Sequence, residues 1–110
     1  MTSKVLVIIA SSNADTALAG MMYARNAIAH KWLDDVKVVF FGPSEELLAS
    51  NEQVAKSAAA LADVSEPLAC KYISDQQEVS EDITGLGVGV EYVGTVVSDF
   101  IKQGYTPMVW

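Results

Sequence analysis

Val5-Leu6-Val7-Ile8-Ile9-Ala10, running straight into Ser11-Ser12-Asn13-Ala14-Asp15, decides the fold. The apolar run is rich in β-branched residues and shows no polar alternation, as expected of a strand covered on both faces in a parallel sheet. The polar residues behind it open a helix, with Ser12 and Asp15 spaced as a capping box. That helix is predicted to reach Lys31. Its inward face is Ala17, Met21, Ala24 and Ile28, widened by Leu18 and Met22. The run is shorter than the roughly 7–15 residues of a signal core and far from the ~20 of a bilayer span, so Met1-Thr2-Ser3-Lys4 is not read as an export lead. No later segment approaches that length without charge, and a cytoplasmic protein is expected.

Outward from this unit the alternation continues. Asp34 and Asp35 make a turn, and Val36 to Phe41 forms a second strand stopped by Gly42-Pro43. Ser44 caps a short helix through Leu48, and Ser50 with Gln53 is a further capping box ahead of Val54, Ala55, Ala58, Ala59 and Leu61. Pro67 to Tyr72 reads as a third strand, with proline at its first position, where a missing N–H is tolerated, and Cys70 near its end. A polar stretch, Ser74 to Thr84, holds a helical turn around Val79 to Ile83. Leu86, Val88 and Val90, alternating with Gly85, Gly87 and Gly89, form a fourth strand. Val93, Val96, Val97, Phe100 and Ile101 mark an amphipathic helix ended by Gly104, and Tyr105 to Trp110 is a last strand that Pro107 assigns to an edge. The alternation predicts an α/β fold, a single three-layer α/β/α domain over residues 1–110 with a mainly parallel five-stranded sheet, flavodoxin-like in layout.

Composition agrees. At 110 residues, 51% hydrophobic and 19% charged, the chain suits one self-sufficient core. A formal charge of −7 repels nucleic-acid phosphates and anionic membranes, so neither is an expected partner. One cysteine and one histidine exclude an internal disulfide and a Cys/His zinc cage. No metal or cofactor is expected.

Ligands of parallel sheets bind outside the strands' carboxyl ends, which here are Ser11 to Asp15, Gly42 to Ser44, and Cys70 to Ser74. Cys70 is the strong nucleophile among them, although a free cysteine often simply packs. Ser11 to Thr16 is hydroxyl-rich, and Ser11 and Asn13 are candidate donors to an anion at the helix start. The loop lacks glycine and carries Asp15, so helix capping is the favoured reading. His30, late in the first helix, complements the helix end. It stands at the opposite end of the sheet from Cys70, which argues against a Cys-His dyad. Gly85-x-Gly87-x-Gly89 fails the dinucleotide spacing. Glu45-Glu46 and Glu81-Asp82 read as solvated first-turn acids. Met108-Val109-Trp110 on an edge leaves apolar surface for association.

The ordered set resembles the DsrE/DsrF-like family of small sulfur-relay α/β proteins, which includes the TusD-type subunits. The resemblance spans nearly the whole chain. It rests on Val5 to Ala10, the alanine-rich first helix, Val36 to Phe41 into Gly42-Pro43, Pro67-Leu68-Ala69-Cys70-Lys71-Tyr72-Ile73-Ser74, Gly87 to Val93, and Phe100 to Tyr105. It implies that Cys70 accepts sulfane sulfur as a persulfide and passes it to a partner protein, and that the chain forms a homotrimer or homohexamer. By adjacency, Lys71 and Ser74 stabilise the thiolate or persulfide and Tyr72 lines the pocket. Some members carry a second cysteine, which this chain lacks, so resolution within one chain is excluded. Other members lack the cysteine and serve in assembly, which leaves a non-catalytic binding or assembly module with a structural Cys70 as the alternative.

Overall fold

Side chains of β1 (Lys4–Ile9) divide between two cores, as the unbroken apolar run requires. Val5, Val7 and Ile9 enter the larger core, while Leu6 is buried in the smaller one on the opposite face. The same division continues in β2 (Asp35–Phe40), where Val36, Val38 and Phe40 face one way and Val39 the other. This computed structural model describes residues 2–110; Met1, the start of the lead segment discussed above, lies outside the described residues.

The elements alternate as expected. α1 (Ala14–Ala29) joins β1 to β2; α2 (Ser44–Ser50) and α3 (Glu52–Ala62) lead to β3 (Leu68–Cys70). α4 (Lys71–Gln76) and α5 (Ser80–Gly85) lead to β4 (Gly89–Glu91), and α6 (Val93–Lys102) to β5 (Thr106–Val109). The sheet has five strands in the order β4-β3-β2-β1-β5, and every pairing is parallel. Pro107 sits in an edge strand, where one side of the backbone needs no ladder donor. The large core packs α1, α2, α3 and α5 on one face through Met21, Leu48, Leu61 and Ile83, each fully or almost fully buried and worth roughly 2 kcal/mol. The other face carries α6.

Several boundaries move, each for a local reason. Asn13, not Ser12, caps α1, its Oδ1 accepting the Thr16 amide at 3.0 Å; Asn51, not Ser50, caps α3 by accepting Val54 N–H at 3.0 Å. Ser50 instead donates to the Glu46 carbonyl. Ser44 is no cap either: its hydroxyl donates to the Ile9 carbonyl at 2.5 Å, and α2 follows Pro43. Ala27 joins the buried face of α1, where Leu18 and Ile28 pack partly buried, and Met22 is exposed. Asp35 joins β2 rather than a turn. β3 stops at Cys70, so Lys71 and Tyr72 are helical, and the Leu86 to Val90 strand shortens to β4. Trp110 is not bare: it packs on Tyr23, with ring centroids 5.9 Å apart, and its Cγ would lie 2.7 Å from a Cβ built on Gly20. Val109 alone of the last three residues is strongly exposed, at 69%. The stripe of α6 is also incompletely covered, since only Val93 is buried while Ile101 lies open.

Candidate functional site

All strands are parallel, so the ends of β1, β2 and β3 form one rim, and hydrogen bonds hold its loops together. Phe41 N–H donates to the Ile9 carbonyl at 3.0 Å, and Ser44 N–H to the Ala10 carbonyl at 3.2 Å. Gly42, at φ +93°, supplies the left-handed backbone that turns β2 into α2.

Cys70 is the last residue of β3 and the cap residue of α4, in extended conformation at φ −71°, ψ 117°. Its side chain belongs to the smaller core with Leu6, Val39, Val93 and Tyr105, and only 6% of the residue is exposed. The rim position expected from sequence is therefore found together with a mostly buried thiol.

Its neighbours are engaged in a polar network along α4. Lys71 Nζ donates to Asp75 Oδ2 at 2.6 Å and lies 5.8 Å from the centre of the Tyr92 ring. The hydrogen bond and charge of Asp75 raise the lysine's pKa, and Lys71 with Ser80 holds Asp75 below the ordinary carboxylate value. Ser80 donates to Asp75 Oδ1 at 2.5 Å, and its oxygen lies 2.7 Å from that of Ser74. Ser74 is fully buried and also reaches the Lys71 carbonyl at 3.2 Å. Tyr72 points outward, 61% exposed. The helix thus brings Lys71 and Ser74 together through Asp75 and Ser80, two residues that sequence reasoning did not single out. The i,i+4 spacing of Lys71 and Asp75 was a usable signal once helix replaced strand at position 71.

Ser11 and Asn13 occupy the first loop of the rim. Ser11 Oγ accepts the Asn13 amide at 2.9 Å while Asn13 caps α1, so both oxygens serve the turn itself. His30 follows the C-terminal end of α1 and stacks on Trp32 with ring centroids 5.6 Å apart.

Glu45 departs furthest from expectation. Read from sequence as a solvated first-turn acid, it is 0% exposed. Oε2 accepts the amide of Gly42, three residues back, at 3.1 Å, while Oε1 has no hydrogen-bond partner among the described residues. Burial pushes its carboxyl up to about 7, against a lowering by the Gly42 amide.

A cleft of about 660 Å³ opens elsewhere, lined in part by Lys37, Leu68, Gly89, Glu91 and Phe100. Among the described residues, no group of three or more His, Cys, Asp or Glu side chains is placed to hold a metal, and no helix is long and apolar enough to cross a membrane.

The chain matches no protein-family model, and no curated protein matches it. Among solved structures it is similar to a conserved protein of unknown function from Bacteroides thetaiotaomicron, with TM-score 0.88 and 25% identity over 97% of this chain and 95% of that one. A protein of unknown function from Methanobacterium thermoautotrophicum shares the fold at TM-score 0.74 and 18% identity, covering 98% of this chain and 99% of the other.

Proposed function

We propose that the protein is a cytoplasmic sulfur carrier of the kind its resemblance to DsrE/DsrF-like proteins implies, with Cys70 as the carrying atom. In the loading step the Cys70 thiolate attacks the outer sulfur of a donor persulfide. The donor S–S bond breaks, a Cys70 S–S bond forms, and the donor leaves as thiolate. Attack by an acceptor thiolate on the outer sulfur of Cys70 persulfide reverses the exchange and restores the thiol. No net oxidant is required, and a single cysteine suffices because donor and acceptor are separate proteins.

The observation that carries this reading is the place of Cys70 at the carboxyl end of β3, on the rim where parallel sheets receive ligands. Homotrimeric or homohexameric assembly belongs to the same proposal, supported by the exposed Val109, Ile101 and Phe41. The test is intact mass of the folded protein after incubation with polysulfide, beside Cys70→Ser. A mass gain of one or more sulfur atoms, reversed by reductant and absent from the variant, supports the carrier. An unmodified wild type overturns it.

A second reading has its own observation. The packing of Cys70 among Leu6, Val39, Val93 and Tyr105 favours a non-catalytic binding or assembly module in which the thiol is structural. Alkylation separates the two: labelling in the folded state favours the carrier, and labelling only on unfolding favours the module.

A further inference from the structure

Glu45 lies in a turn fastened at several points, and its own carboxyl is the odd member. Ser44 holds β1 twice, through its amide to Ala10 and its hydroxyl to Ile9. Glu45 closes the turn on itself, its amide donating to the Gly42 carbonyl at 3.0 Å while its side chain accepts from the Gly42 amide. The carboxyl is completely removed from solvent, has one donor, and keeps one oxygen without a partner. A buried carboxylate is tolerated where cations or several donors surround it. Here neither condition is met.

The elements packed on α2 are α1, α3, α4 and α5. Their charged groups are Asp15 and Arg25, Glu52 and Lys56, Lys71 and Asp75, and Glu81 and Asp82, with Glu46 on α2 itself. Lys56 is paired with Glu52 and Lys71 with Asp75. Among the described residues, burial and the Gly42 amide are what shift the Glu45 carboxyl.

We propose that Glu45 is a proton-operated latch: as the neutral acid it keeps the β2–α2 turn closed on β1, and loss of its proton releases that turn at the rim of the sheet. The anion gains hydration when residues 42–45 move away from β1, which breaks the two bonds that Ser44 makes to β1 and lets water replace the Gly42 amide at the carboxylate. The rise of the carboxyl to about 7 puts the changeover near neutrality. The turn shares the rim with Cys70, whose side chain belongs to the smaller core, and the latch requires no role for the thiol.

The test is amide hydrogen exchange by NMR at Gly42 and Ser44 between pH 6 and 8, corrected for intrinsic rates, with Val38 reporting global opening. If a solvated carboxyl titrates at 4.5 and the enclosed one near 7, turn opening increases about tenfold over that interval. Gly42 and Ser44 exchange faster than Val38 throughout, Val38 rises in parallel because global unfolding also frees the carboxyl, and Glu45→Gln abolishes both increases. A wild-type turn that does not respond to pH, a turn that exchanges only as fast as Val38, or the same increase in Glu45→Gln overturns the latch. Should Glu45→Gln fail to fold, the wild-type carboxyl is titrated directly by its 13C shift. A midpoint within one unit of 7 that tracks the exchange supports the proposal, and any other midpoint overturns it.

Discussion

Tyr105 donates its hydroxyl to the carboxylate of Asp35, tying the approach to β5 to the first residue of β2 across 70 positions of chain. Each group records the contact. Hydrogen bonding to Asp35, with burial, pushes Tyr105 up to about 12. Burial works to raise Asp35, but the Tyr105 hydroxyl and Lys37 outweigh it and hold the carboxyl below its ordinary value.

Tyr105→Phe is expected to cost about 1 kcal/mol at neutral pH in urea unfolding, since the bond is charge-assisted but part-exposed. The pH signs follow from the two shifts. The contribution of Asp35 is present above its unfolded value and is lost as pH falls through the lowered folded value. That of Tyr105 is full below its unfolded value of 10.0 and is lost as pH rises toward about 12. The variant should lose the alkaline limb. Identical wild-type and variant curves would contradict the assignment.

Glu45 predicts a slope in the unusual direction for a carboxyl. Its folded value of about 7 exceeds the ordinary 4.5, so its contribution is full below 4.5 and drains away as pH rises through 7. Glu45→Gln, neutral at every pH, should gain on wild type by about 2.5 kcal/mol between pH 5 and 8 in denaturant unfolding. A constant difference would show that the carboxyl does not change charge there.

Two helical glycines should respond to alanine oppositely. At Gly20 a Cβ would fall 2.5 Å from Ile9 Cδ1 and 2.7 Å from Trp110 Cγ, so Gly20→Ala should destabilise by about 1–2 kcal/mol despite better helix propensity. At Gly94 nothing lies within 4 Å, and Gly94→Ala should gain a few tenths to about 0.5 kcal/mol. Thermal melts of both variants decide the matter, and a stabilised Gly20→Ala would mean that the Trp110 contact is slack.

Capping gives a further contrast. Asn13→Ala and Asn51→Ala should each lose about 1 kcal/mol, and Ser12→Ala almost nothing, by chemical unfolding. An equal loss at Ser12 would restore the cap expected from sequence.

The parallel order of elements was legible because Val5 to Ile9 is apolar on both faces and Val36 to Phe40 is broken only by Lys37, so water would penalise either side of both runs. The caps were misread by one residue because Ser12-Asn13 and Ser50-Asn51 each offer two suitable oxygens, and the backbone path chooses between them. Tyr72 was assigned to a strand because apolar runs do not distinguish a strand from a short helix, and β3 ends after three residues. Of the site, the rim position of Cys70 was readable. The engagement of Lys71 and Ser74 with Asp75 and Ser80 was not, because it needs a helix–turn–helix that sequence spacing did not reveal. Glu45 was invisible for a different reason: acids are rarely buried without a counter-charge, so the ordinary expectation pointed outward.

β1 lies between β2 and β5, and Ala10 and Ser11 both donate to the Trp110 carbonyl. A chain emerging from the ribosome therefore makes this inner strand well before β5, the strand that covers its second edge. Until residues 106–109 emerge, an apolar ladder with free donors and acceptors stands open to other nascent chains. Pairing Val5 with Thr106 is a contact of long sequence separation, the kind whose loop-closure entropy slows folding.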